Sequence, residues 1–147
     1  MTAGPLAALG RRLDHEFRDP ALLERALTHA SWVNEHPPGA DNSALALVGD
    51  AVLALVVAEH LLAVTPEATV SVLTGGRAEV VSDANLARWA TALELGPLLR
   101  LGRGLDLTGG RELESVLASA LEALLGALYL EAGLPAARRA IGRLAVW

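Results

Sequence analysis

Two apolar stretches, each with a carboxylate set among apolar neighbours, constrain this chain more than any other feature. The first runs from Leu45 to Val64 and holds Asp50 within Leu47-Val48-Gly49-Asp50-Ala51-Val52-Leu53. The second holds Glu122 within Ala120-Leu121-Glu122-Ala123-Leu124-Leu125-Gly126. Neither alternates apolar and polar residues as a half-buried strand would, so each predicts a long apolar helix. A carboxylate among such neighbours must be paired, hydrogen-bonded or metal-bound, because desolvating it alone is costly. A hydrogen bond between two packed helices meets that need as well as a metal ion does.

Leu45 to Val64 is long enough to raise the question of membrane insertion. It contains Asp50, Glu59 and His60, and a carboxylate near the centre of a bilayer span costs roughly 2.5 to 3.5 kcal/mol. The stretch therefore predicts a core helix, and no membrane is expected as a partner.

The rest of the chain reads as helices separated by breakers. Asp19-Pro20 is an N-cap followed by proline at the first helical position, ahead of Leu22, Leu23, Ala26 and Leu27 at helical spacing. His36-Pro37-Pro38-Gly39 ends regular structure, and Asp41-Asn42-Ser43 caps the first long helix, expected to reach about Ala63. Thr65-Pro66 breaks it. Val70 to Val81 is ambiguous because Gly75-Gly76 lowers helical propensity by roughly 1 kcal/mol per glycine. Ser82-Asp83 caps a further helix through Leu95, stopped by Gly96-Pro97. The glycine-rich segment 102–110 predicts a loop. A second long helix is expected from about Arg111 to Ala132, with Gly133 and Pro135 separating it from a short helix that ends near Trp147. The fold class is all-α.

A chain of 147 residues is the size of one ordinary domain, expected over residues 1–147. Hydrophobic residues make up 52% of it but only five are aromatic, so the core must be Ala, Leu and Val, which suits helix-on-helix packing. The absence of cysteine excludes disulfides, thiolate metal sites and a cysteine nucleophile. Met1 to Gly10 lacks the basic start of a secretory signal, and cytoplasmic localisation is the default expectation. A net charge of -5 opposes strong general binding of nucleic acid, which needs clustered cations, although a local basic face is compatible with it.

The motifs in order are Leu27-Thr28-His29-Ala30-Ser31 with Asn34-Glu35, then Leu45 to Leu53, Arg77-Ala78, Leu101-Gly102-Arg103-Gly104, Thr108-Gly109-Gly110-Arg111-Glu112 and Ser115 to Leu130. In order and spacing they resemble the endonuclease domain of the ribonuclease III family. The run Gly49-Asp50-Ala51-Val52-Leu53 is similar to that family's signature helix, and Glu122-Ala123-Leu124-Leu125-Gly126-Ala127 to its later acidic helix.

The resemblance implies cleavage of double-stranded RNA with Mg²⁺ held by four carboxylates, an i, i+4 pair on the signature helix and an i, i+3 pair on the later one. Those spacings put each pair on one helical face. Transferred residue by residue, the positions are Ala46 and Asp50, then Ser119 and Glu122. Ala46 and Ser119 stand where acids are expected, and Ser43 and Ala44 stand where the signature helix has a further acid and an arginine. Asp50 and Glu122 are thus the expected metal ligands, able to hold Mg²⁺ or Mn²⁺ weakly at most, and catalysis is expected to be impaired or absent. The alternatives are a working Mg²⁺-dependent endoribonuclease and a regulatory partner of an intact family member.

The resemblance also implies a homodimer formed through the signature helix, with Leu45, Leu47, Val48, Val52 and Leu55 as its apolar surface. Leu47 replaces the usual aromatic knob. Residues 1–147 are expected to be a single ribonuclease III-like domain, with no double-stranded-RNA-binding domain. His29 is expected to make a structural hydrogen bond, and Glu59 and His60 to lie on the outer face of the long helix. Gly102-Arg103-Gly104 and Gly109-Gly110-Arg111 offer N–H and guanidinium groups that suit phosphates, or form plain loops.

Overall fold

The structure is a computed structural model describing residues 4–147; the first three residues of the expected 1–147 domain lie outside the described residues. Helix α1 spans Pro5–Leu13, α2 Pro20–Ala26, α3 Ala30–Glu35, α4 Ser43–Val64, α5 Val70–Val80, α6 Asp83–Ala92, α7 Arg103–Leu107 and α8 Glu114–Ala145. Single 3-10 turns lie at Gly96–Leu98 and Gly110–Glu112. Among the described residues there is no strand, only an isolated parallel bridge between Thr28 and Arg100. The all-α expectation holds.

The centre of the molecule is the crossing of α4 and α8, its most extensive helix pair. Two glycines let the backbones touch. A Cβ on Gly49 would lie 1.7 Å from the Glu122 carbonyl oxygen, and one on Gly126 would lie 2.1 Å from that of Leu45. Any larger residue at either position forces the helices apart. Because Gly49 faces Glu122 while Leu45 faces Gly126, the two helices run antiparallel. Around this contact Leu53, Val57, Leu121, Leu124, Leu125 and Leu128 are wholly or almost wholly buried, and α6 closes one side with Leu86, Trp89 and Ala90. By length and composition α4 and α8 are both apolar enough to cross a membrane; 61% of the apolar window of α8 is buried, and 28% of that of α4.

The capping chemistry follows the sequence with two refinements. The Asp19 carboxylate accepts from the N–H groups of Ala21 and Leu22, and the Ser82 hydroxyl accepts from Asn85 N–H. At the start of α4 the bond falls instead on Asp41, whose Oδ1 accepts from Ser43 N–H at 2.9 Å. Buried Asn42 donates Nδ2–H to the Ala26 carbonyl at 3.1 Å, tying the end of α2 to the start of α4. Gly133 takes φ 81° and breaks α8 into two helical segments two residues before Pro135, as expected.

Several expectations need correction. Residues 103–107 are helical rather than loop, and α8 begins at Glu114 rather than near Arg111, whose segment is a 3-10 turn. Val70–Val80 is a helix despite Gly75 and Gly76, but it buries no residue. Helices α1 and α3 were not expected; α1 is held by Leu9 and Leu13 in the core, a tertiary cause that a short segment does not advertise. His60 is not an open outer-face residue: its ring stacks on Trp147 with centroids 3.7 Å apart. Glu59 is exposed and pairs with Arg138 at 2.8 Å, linking α4 to the end of α8.

Candidate active site

The Gly49–Gly126 contact decides where the two acids meet. Asp50 follows Gly49 and is exposed, and half-buried Glu122 stands across the crossing. Their proximity shows in Glu122: burial first, then the hydrogen bond with Asp50, then the negative charge of Asp50 and Asp83, push its carboxyl up to about 8. The Glu122 carboxyl therefore keeps its proton at neutral pH and can donate it to Asp50 across the crossing.

Asp83 is the acid that sequence reasoning missed. It is the first residue of α6, where an acid is explained by the helix dipole and draws no further notice. Only the packing of α6 on α8 brings it near enough to act on Glu122 through its charge.

The positions of the absent acids sit as the spacing requires along each helix. Ala46 lies one turn before Asp50 and is partly buried against Ala26, Leu45, Ala123 and Ala127. Ser119 lies three residues before Glu122 and is exposed. Since the helices are antiparallel, these two positions flank the Asp50–Glu122 pair from opposite ends. Ser43 and Ala44 are exposed in the first turn of α4.

Two hard oxygen donors beside solvent suit one Mg²⁺ that keeps most of its waters. Among the described residues no group of three or more His, Asp or Glu side chains is placed to hold an ion. Two carboxylates do not supply the bridging acid and further ligands that a two-metal clamp needs.

The other singled-out residues have structural partners. His29 caps α3, its Nδ1 accepting from Ser31 N–H at 3.0 Å, the structural role expected. The phosphate reading of the glycine loops is largely displaced. Gly102 N–H donates to Ser31 Oγ at 2.8 Å and Arg103 N–H to Glu35 Oε2 at 2.7 Å. Arg111 bonds Asp106 Oδ1 and the carbonyls of Gly96 and Leu99. Of the expected dimer residues, Leu45 and Val52 are spent in the core and Val48 packs against it, whereas Leu47 and Leu55 are 73% and 48% exposed. With Leu62, 53% exposed, they form an open apolar stripe along α4.

An all-helical domain with an acid pair at a glycine-mediated helix crossing defines the class. The family follows from comparison with known proteins: residues 19–146 match the Ribonuclease-III-like family model, and the chain belongs to that family. It is 50% identical over 137 residues to Ribonuclease 3 of Heliobacterium modesticaldum, covering 92% of this chain and 58% of the relative. It is 44% identical over 137 residues to Ribonuclease 3 of Caldanaerobacter subterraneus subsp. tengcongensis, covering 92% and 60%. The chain thus spans somewhat under two thirds of the length of these relatives. The nuclease domain of ribonuclease III from Campylobacter jejuni superposes with a TM-score of 0.88 at 37% identity, covering 93% of both chains. That structure is described for flexibility in a region involved in dimer formation. This chain is therefore a ribonuclease III-like nuclease domain.

Proposed function

We propose that this domain acts in RNA processing by binding double-stranded RNA as a homodimer, with catalysis impaired or lost. The observation that carries this reading is the composition of the site. Asp50 and Glu122 remain, with the Glu122 carboxyl pushed up to about 8, while Ala46 and Ser119 occupy the flanking positions. In this reading Asp50 and Glu122 hold at most one Mg²⁺ or Mn²⁺. The ion, when bound, would supply charge stabilisation at a phosphate oxygen; the chain's own part is to place two oxygens at that point, Glu122 first giving up its proton at neutral pH. The exposed Leu47, Leu55 and Leu62 support pairing through α4. The test is a cleavage assay on duplex RNA in Mg²⁺ and in Mn²⁺ beside an intact homologue. Activity lower by several orders of magnitude is expected, since single preorganised contacts at developing charge are worth roughly 3 to 4 kcal/mol.

The competing reading, a working endoribonuclease, draws support from Asp83, a third acid acting on Glu122. Under it, turnover matches that of the homologue and disappears in both Asp50→Ala and Glu122→Ala. Copurification with an intact family member, without activity of its own, identifies a regulatory partner instead.

A further inference from the structure

A cavity of about 360 Å³ opens between α2, α3 and the turn that leads into α4. One wall is the ring of Trp32, stacked on His36 with centroids 3.8 Å apart and planes 11° from parallel. The guanidinium carbon of Arg100 lies 5.6 Å from the Trp32 ring centroid. Arg25 adds a second guanidinium to the lining, and Glu24 pairs with Arg100 Nη1 at 2.6 Å.

The frame behind these side chains is well tied. Arg100 N–H donates to the Leu27 carbonyl at 2.8 Å, and its own carbonyl accepts from His29 N–H at 3.0 Å. Thr28 Oγ1 donates to the Glu24 carbonyl at 2.6 Å, and Asn42 N–H donates to that of Thr28 at 2.9 Å. The cavity is therefore built on paired backbone, the support a recognition site needs.

The three tryptophans divide their duties. Trp89 belongs to the core and Trp147 stacks on His60. Trp32 does neither: its partners are an imidazole and a guanidinium at the rim of the cavity. The indole, with His36 stacked on it and the Arg100 guanidinium over it, backs a planar cation against which an unstacked nucleobase can settle. Arg100 donates Nη1–H to Glu24, and guanidinium donors of this kind suit phosphate oxygens. The cavity's volume of about 360 Å³ is on the scale of a single nucleotide. Recognition by stacking also suits a chain of net charge -5, because it does not require a broad basic face.

We propose that this cavity binds one unpaired ribonucleotide, its base against Trp32 and Arg100 and its phosphate on Arg25 and Arg100. The inference rests on the RNA-binding reading above and deepens it: the preferred RNA is a duplex with a bulged or frayed residue. The position is suitable, because Asn42, which follows the cavity, lies eight residues before Asp50, or roughly 12 Å along the helix axis.

The test uses the intact chain and isothermal calorimetry with adenosine 5′-monophosphate, and with two RNA duplexes identical except for one bulged adenosine. Expected results are measurable binding of the nucleotide and tighter binding of the bulged duplex. Trp32→Leu and Arg100→Gln each weaken the nucleotide at least about fivefold and erase the preference for the bulge. Trp32→Phe retains most of both, and Trp147→Leu changes neither. Should Trp32→Leu fail to fold, Arg100→Gln and Trp32→Phe carry the same comparison. Nucleotide binding that is absent at ten-millimolar order, or unaffected by these substitutions, overturns the proposal. If the paired duplex does not bind while the nucleotide does so through Trp32, the cavity stands and the duplex-binding reading falls.

Discussion

Replacing Glu122 by Gln tests the carboxylate pair without a substrate. The folded carboxyl is raised from 4.5 to about 8, so between those values the folded chain keeps a proton that the unfolded chain releases. Stability from this group is therefore complete below about 4.5 and is lost as pH rises through about 8. At ~1.4 kcal/mol per pH unit the whole gap sets a ceiling of about 5 kcal/mol. Glu122 is half-exposed, and water screens the repulsion, so on the order of 1 to 2 kcal/mol is the appropriate magnitude. Glutamine keeps the size and a hydrogen bond to Asp50 but cannot ionise. Urea denaturation in EDTA, followed by circular dichroism from pH 5 to 9, should show near-equal stability at the acid end. At the alkaline end Glu122→Gln should be more stable by that amount, or by roughly 2 to 8 °C in melting temperature. All other titrating groups are common to both proteins, so the difference isolates this pair. Parallel pH profiles would refute the raised Glu122 carboxyl and with it the placement of Asp50 beside Glu122.

Gly49→Ala should destabilise by about 3 kcal/mol or more in chemical denaturation, because its Cβ meets the Glu122 carbonyl. Gly75→Ala, with nothing within 4 Å of its Cβ in helix α5, should instead stabilise by about 0.5 to 1 kcal/mol. Sedimentation at micromolar concentration should give a dimer, and Leu47→Glu a folded monomer with an unchanged circular-dichroism spectrum, since this side chain is 73% exposed. Ala46→Glu with Ser119→Asp should lower the melting temperature in EDTA and make it rise with millimolar Mg²⁺ more than in the parent chain. No metal-dependent rise in that double variant would show that the four positions do not converge.

What was legible in the sequence was whatever local chemistry decides. Asp50 and Glu122 stand out because an acid in an apolar helix needs a partner, and the caps at Asp19 and Ser82 because a side-chain oxygen there replaces a missing backbone acceptor. Asp83 was not legible: at the start of a helix an acid already has a reason to be there, and its second relationship, to Glu122, exists only through packing. The same holds for α4, whose leucines look alike in sequence. Leu45 faces a core of Ala123 and Ala127, and Leu47, two residues on, faces solvent. The segment 102–110 misled because its glycines were read as loop formers. Gly102 is required by contact, its Cβ position lying 2.6 Å from the Ser31 carbonyl oxygen, while α7 starts at the very next residue.

The crossing of α4 and α8 also explains how the site tolerates the loss of acids. Its geometry depends on Gly49 and Gly126, whose backbones touch the opposite helix, and on the leucines packed around them. None of the four side chains at the acid positions supplies that contact; Glu122 meets Gly49 through its backbone carbonyl. Ser119 is exposed, so an acid or a serine there costs the core nothing. Ala46 joins a cluster of small residues with Ala26, Ala123 and Ala127, where a methyl group packs well and a lone buried carboxylate would need a metal or a proton to sit comfortably. Alanine at 46 is therefore a packing gain wherever a metal is not held. Metal affinity and packing pull on this position in opposite directions, and melting temperature against Mg²⁺ concentration for Ala46→Glu alone reads out which of the two prevails.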